Sequence, residues 1–157
     1  RNRRVGIRMG DSMTVRSTTL GAFLAAAATI GLTGATQAAA LIANVNVSTQ
    51  TMTVKKHGKV IYTWKVSTAR SGYITPAGEW RPYRMHRMWH SRKYEMAPMP
   101  FAVFYHGGYA VHGTTAESRL GTPASHGCVR LATVNAETFY SLVKELGPGN
   151  TRIVVTK

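Results

Sequence analysis

The sequence predicts a mostly β chain with one clear α-helix placed just before the last strand. Three observations predict it. From Ala43 onward apolar and polar residues alternate, with Ala43, Val45 and Val47 set against Asn44, Asn46 and Ser48, the period of a half-buried strand. Short β-branched and aromatic runs recur between glycine-bearing turns, at 60–66 (VIYTWKV), 101–105 (FAVFY) and 151–156 (TRIVVT). Ala136, Phe139, Tyr140, Leu142, Val143 and Leu146 recur at helical spacing, and Gly147-Pro148-Gly149 ends that run.

The remaining elements follow in order. Met52 and Val54 prolong the extended start, and the polar, glycine-bearing 55–59 (KKHGK) reads as a hairpin turn. Ser71-Gly72 and Thr75-Pro76-Ala77-Gly78 interrupt the pattern, and Trp80 opens a short strand. In 81–99 Arg81, Arg84, Arg87, Arg92 and Lys93 interleave with Tyr83, Trp89, Tyr94 and four methionines, without a period. Long irregular segments in compact domains tend to be functional, so 81–99 is expected to be a loop or flap beside an active site. His106-Gly107-Gly108 is a turn, after which 109–111 returns as a strand ending at His112. The segment 113–127 holds three glycines and one proline and reads as a loop, and Thr133 is the expected helix N-cap.

The length of 157 residues suits one domain. The first forty residues read as an export signal: a basic start (Arg1, Arg3, Arg4, Arg8, Arg16), an uncharged apolar run of thirteen residues at 20–32, and small residues at Ala38-Ala39-Ala40. The run is shorter than the roughly 18–20 residues of a spanning helix, which leaves an uncleaved anchor as the alternative. Met9 and Met13 lie inside the basic stretch and are candidate starts. The expected mature domain is 41–157, with 15 basic and 5 acidic residues, a net charge of +10 against +14 for the whole chain. That balance favours anionic surroundings. For an exported protein these are cell-wall polymer or a lipid surface rather than nucleic acid, with membrane contact expected only if the signal stays attached.

The chain has one cysteine, Cys128. An internal disulfide is impossible, so the thiol is buried and inert, bridged to another chain, or reactive. Its neighbourhood is 111–114 (VHGT) followed by 125–131 (SHGCVRL). A histidine held at a strand end, with a cysteine from a later loop, supplies a base and a nucleophile. Glycine beside the nucleophile allows close approach of a substrate carbonyl, and the N–H groups of Gly127 and Cys128 are candidate oxyanion donors. Arg130 is a candidate clamp for a substrate carboxylate. At this level three readings stand: a zinc site using His112, His126 and Cys128, a buried inert thiol, and nucleophilic catalysis.

The segment 112–131 (HGTTAESRLGTPASHGCVRL) resembles the signature of the L,D-transpeptidase catalytic domain, also called YkuD-type. The shared parts are a His-Gly, a loop with Leu-Gly near its middle, and Ser-His-Gly-Cys followed by an apolar residue and Arg or Asn, with twelve residues between His112 and Ser125. Upstream, Thr75-Pro76-Ala77-Gly78-Glu79-Trp80 is similar to the family's Thr-Pro-x-Gly-x-aromatic element. The likeness runs from about Leu41 to Lys157 and implies a YkuD-type β-sandwich.

It implies Cys128 as nucleophile and His112 as general base. Gly113 stands where some relatives carry Ser, and its carbonyl would orient the imidazole. Gly127 and Cys128 would form the oxyanion hole, Ser125 and His126 would shape the site, and Arg130 would have a structural or substrate-orienting role. His57, His86, His90 and His106 match nothing catalytic. In the family the cysteine attacks a stem tetrapeptide at the L-centre of its third residue and D-Ala leaves. An amine from another stem, or from an envelope protein, then resolves the thioester. Some members hydrolyse the thioester or cut wall–protein links, and carbapenems acylate the cysteine in many. No metal or cofactor is implied, and a monomer is expected. A basic wall-binding module without catalysis is the alternative from another class.

Overall fold

The computed structural model describes residues 39–157, so the expected export signal falls outside the described residues except for Ala39 and Ala40. Among the described residues nine strands form two mixed sheets. In the first, β1 (Leu41–Asn46) pairs antiparallel with β2 (Thr51–Lys56), which pairs with β3 (Lys59–Lys65). The last strand, β9 (Thr151–Thr156), inserts parallel to β1 and carries β4 (Gly78–Trp80) on its other edge. The order is β3-β2-β1-β9-β4. The second sheet runs β5 (Arg84–Ser91), β6 (Ala97–His106), β7 (Tyr109–Thr114) and β8 (Val129–Ala132), antiparallel except for the β7–β8 pair.

Of the alternating residues read at the start of the domain, Val47 falls half-buried in the following turn, and Ala43 and Val45 lie in the core beside Leu41. They pack with Ile153 and Val155 from β9 and with Val103, Val111, Val129 and Leu131 from the second sheet. The helix α1 (Thr133–Leu146) closes this core with Ala136, Phe139 and Val143. Gly147, at φ +88°, then releases the chain into β9, a backbone turn that glycine makes without strain.

Several expectations are corrected. The extended start is interrupted by a tight turn at 47–50 whose last residue, Gln50, has φ +53°. That turn lacks Gly and Pro. It is held instead by the buried Gln50 side chain, which donates to the Val47 carbonyl and to Thr68 Oγ1 and accepts from the Thr68 N–H. The segment 81–99 is not irregular: most of it is the β5–β6 hairpin. Strand β5 lies at the edge of its sheet and no residue of it is fully buried, so it shows no two-residue hydrophobic period. Pro98 and Pro100 lie in the part of β6 beyond its pairing with β7, where a missing N–H leaves no gap in that ladder. Thr133 is the first helical residue rather than the cap. Its hydroxyl turns back to the Thr114 carbonyl, and its N–H is met by the Glu117 carboxylate at 3.3 Å.

Phe139 is fully buried between helix and strands, whereas Val134 on the same helix is 66 % exposed. Phe139→Ala is therefore expected to lower stability by about 3–5 kcal/mol, and Val134→Ala by no more than about 0.5 kcal/mol. Chemical denaturation checks both values.

Candidate active site

Strand pairing brings the expected site residues together. In the parallel β7–β8 pair His112 stands opposite Arg130, and Cys128 lies two residues before Arg130, so all three leave one face of the second sheet. They line a cleft of about 470 Å³ with Thr114 and, from the β5–β6 hairpin tip, Tyr94 and Met99. Met99 belongs to a small apolar cluster with Ala102, Phe104 and Ala110, against which Trp89 and Cys128 pack. A second recess of about 490 Å³, lined by Tyr73, Ile74, Lys93 and Tyr109, also opens onto Cys128. Tyr94 and His126 border both. The hairpin tip thus sits beside the reactive residues, where the flap was expected.

His112 is buried, and its Nδ1 lies 2.7 Å from the Gly113 carbonyl oxygen. A carbonyl only accepts, so Nδ1 carries the proton and Nε2 is the free acceptor. Burial lowers the His112 pKa to about 4; the Gly113 hydrogen bond opposes this and the Arg130 charge adds to it. The imidazole is therefore neutral at neutral pH. The Cys128 thiol is pushed up by burial, against a backbone hydrogen bond at Ala110 and the Arg130 charge, both of which favour the thiolate. At rest the two groups are then a thiol and a neutral imidazole. Gly113 also packs closely: a Cβ there would come within 3.0 Å of the Thr133 backbone, which accounts for glycine at this position.

The turn carrying Cys128 is held from several sides. The fully buried Ser125 donates from Oγ to the Cys128 carbonyl at 2.7 Å and accepts from the Gly127 N–H at 2.9 Å. The Gly127 N–H, expected as an oxyanion donor, thus has an acceptor inside the turn in the unliganded chain. The Cys128 N–H makes no turn or loop hydrogen bond. Gly127 has φ +125°, and a Cβ there would lie 2.4 Å from the Tyr109 ring and 2.7 Å from the Ile74 carbonyl oxygen. Only glycine fits this position. The segment after β3 supports the turn from below, with Ser67 bridging Arg130 and Arg70 N–H donating to the Ser125 carbonyl.

The other expected residues are less central. Arg130 is half-buried and reaches the Ala124 carbonyl at 3.4 Å, bracing its own loop while its charge favours the Cys128 thiolate. His126 lines the cleft and lies between two rings, stacked on Tyr94 at 4.2 Å and edge-on to Tyr73 at 4.6 Å. Its pKa is lowered by desolvation and by the neighbouring Arg70, Arg130 and Lys93 charges. Sequence reasoning missed Tyr73 and Tyr94 as partners of His126, and gave no role to Thr75 within the Thr-Pro-x-Gly element. The hydroxyl of Thr75 joins the Ala69 N–H to the Gly127 carbonyl. Nothing local in sequence marks these contacts, because they join segments tens of residues apart.

A cysteine and a neutral histidine with a fixed tautomer thus line one cleft of a β fold built from two sheets. The chain belongs to the YkuD family, the L,D-transpeptidase catalytic domain, whose family model matches residues 41–155. Its fold is also that of solved L,D-transpeptidases. The one from Stackebrandtia nassauensis is 27% identical at a TM-score of 0.66, covering 77% of this chain and 58% of that one. The one from Xylanimonas cellulosilytica is 24% identical at 0.65, covering 77% and 62%. L,D-transpeptidase 3 from Mycobacterium tuberculosis, solved with a faropenem-derived adduct, is 21% identical at 0.65, covering 75% and 60%. This chain thus spans about six tenths of the length of these relatives. No curated protein sequence gives a significant match to the chain.

The His112 pKa gives a stability test. Between about 4 and the ordinary value of 6.5, the unfolded chain carries a proton on His112 that the folded chain does not. Stability therefore rises with pH through this window and is lost as pH falls, by up to about 3 kcal/mol from this group. Denaturant midpoints measured from pH 7 to 4 should fall in the wild type and fall less in His112→Gln.

Proposed function

We propose that this protein is a peptidoglycan L,D-transpeptidase, exported to the cell envelope, with Cys128 as nucleophile and His112 as general base. One observation carries the reading: a neutral imidazole, held in the Nδ1–H tautomer by the Gly113 carbonyl, faces the Cys128 cleft. Membership of the family supports the acyl-transfer class.

Each step uses groups already in place. His112 Nε2 takes the thiol proton as Cys128 Sγ attacks the carbonyl at the L-centre of the third stem residue. The Cys128 N–H receives the developing oxyanion. As the tetrahedral intermediate collapses, the peptide C–N bond breaks and the His112 proton goes to the amine of the departing D-Ala. The resulting thioester meets an amine from a second stem, or from an envelope protein. His112 takes the amine's proton, the new amide forms, and the sulfur leaves as a thiol. The expected positive balance of 41–157 suits a substrate that carries carboxylates. Tyr94, over His126 at the hairpin tip, shelters the thioester from water while the amine arrives.

Incubation of the protein with a carbapenem should add one adduct by intact mass, with none on Cys128→Ala. His112→Ala should slow acylation by about 10²–10⁴-fold. With a disaccharide-tetrapeptide, release of D-Ala together with a cross-linked dimer is expected. Release without a dimer favours a hydrolase on the same site, and failure of both assays on folded protein contradicts the proposal. Tyr94→Ala should raise the hydrolysed share of product, and unchanged partitioning would remove the sheltering role.

A further inference from the structure

We infer that Thr75 is the positioning residue of the oxyanion donor: its hydroxyl holds the Gly127 carbonyl so that the Cys128 N–H faces the cleft. The inference rests on the acyl-transfer reading above and assigns one part of that machinery.

Thr75 is buried, at 8 % exposure, and its hydroxyl has two partners. The Ala69 N–H donates to Oγ1 at 3.0 Å, and Oγ1 lies 2.9 Å from the Gly127 carbonyl oxygen. Neither partner can exchange roles, because an amide N–H only donates and a carbonyl only accepts. The hydroxyl proton therefore points at Gly127. The Gly127 carbonyl and the Cys128 N–H belong to one planar trans peptide, in which they point in opposite directions. Holding the carbonyl against Thr75 thus turns the Cys128 N–H the other way.

Within the Gly127–Cys128 pair the other polar backbone groups already have partners. The Gly127 N–H is taken by Ser125 Oγ, and the Cys128 carbonyl accepts from the same hydroxyl. Of the four polar backbone groups of Gly127 and Cys128, three are committed inward and the Cys128 N–H remains. The glycine at 127 makes such a peptide free to rotate in principle, since φ +125° is one of several conformations glycine adopts. The Ile74 carbonyl and the Tyr109 ring close on its α-carbon, and Thr75 fixes the carbonyl that follows. A hydrogen bond donated to a peptide carbonyl also polarises that peptide and strengthens its N–H as a donor. Thr75 therefore both aims and sharpens the group that meets the oxyanion, without touching substrate.

The test compares two reactions of the same sulfur. Acylation by imipenem passes through a tetrahedral oxyanion and needs the donor, whereas alkylation by iodoacetamide displaces iodide at a saturated carbon and does not. Both rates are measured by intact mass on wild type, Thr75→Val and Thr75→Ser. In Thr75→Val acylation should fall by about 10- to 100-fold, on the scale of a weakened oxyanion donor, while alkylation stays within about twofold of wild type. Thr75→Ser, which keeps the hydroxyl, should restore acylation. Acylation of Thr75→Val at the wild-type rate overturns the assignment. So does equal loss of both reactions, the mark of a merely structural role or a misfolded variant. If the wild type alkylates but resists imipenem, D-Ala release from a disaccharide-tetrapeptide takes the place of acylation in the comparison, and a wild type silent in both overturns the acyl-transfer reading itself, and this inference with it.

Discussion

The hydrogen bonds that pin the Ser125–Cys128 turn are the constraint on which the site depends. Ser125 closes the turn from within through two contacts of one hydroxyl. The segment 67–70 holds it from outside through the Ser67–Arg130 bridge and the Arg70 N–H. That segment is in turn fixed by Gln50, whose side chain satisfies both the amide and the hydroxyl of Thr68. A continuous set of hydrogen bonds thus links the β1–β2 turn of the first sheet to the cysteine of the second. Each contact contributes little net stability, but a buried partner left unpaired would be costly, so the arrangement is specified as a unit.

The electrostatics follow from the same burial. A thiol and an imidazole under the hairpin both lose solvation, which raises one pKa and lowers the other, and each is driven toward its neutral form. Arg130, opposite His112 across the β7–β8 pair, works against this for the sulfur and with it for the imidazole. The resting protein therefore holds a neutral thiol and a neutral imidazole in one cleft.

The parts that sequence revealed are those carried by local periodicity and by short motifs. Alternation placed Ala43 and Val45 in the core, the helical spacing placed Phe139 and Val143, and the two motif segments around His112 and Cys128 converge on one cleft. Three kinds of feature stayed hidden. Strand β5 lacks a buried face, so its residues read as irregular although they pair along most of β6. The Gln50 turn has neither Gly nor Pro and depends on Thr68, eighteen residues away. The direction of the Gly127 N–H depends on which hydroxyl reaches it, and a run of residue types does not say whether Ser125 Oγ turns inward. In each case the deciding contact is tertiary and lies outside the window that a motif covers.

The most direct test is a crystal structure of the carbapenem acyl-enzyme, because it locates the oxygen that the site is built to hold. The account predicts a thioester at Cys128 Sγ with its carbonyl oxygen about 2.7–3.1 Å from the Cys128 nitrogen. It also predicts that the Gly127 N–H still donates to Ser125 and the Gly127 carbonyl still accepts from Thr75. A thioester oxygen turned away from the Cys128 N–H, or a flipped Gly127–Cys128 peptide, would contradict it.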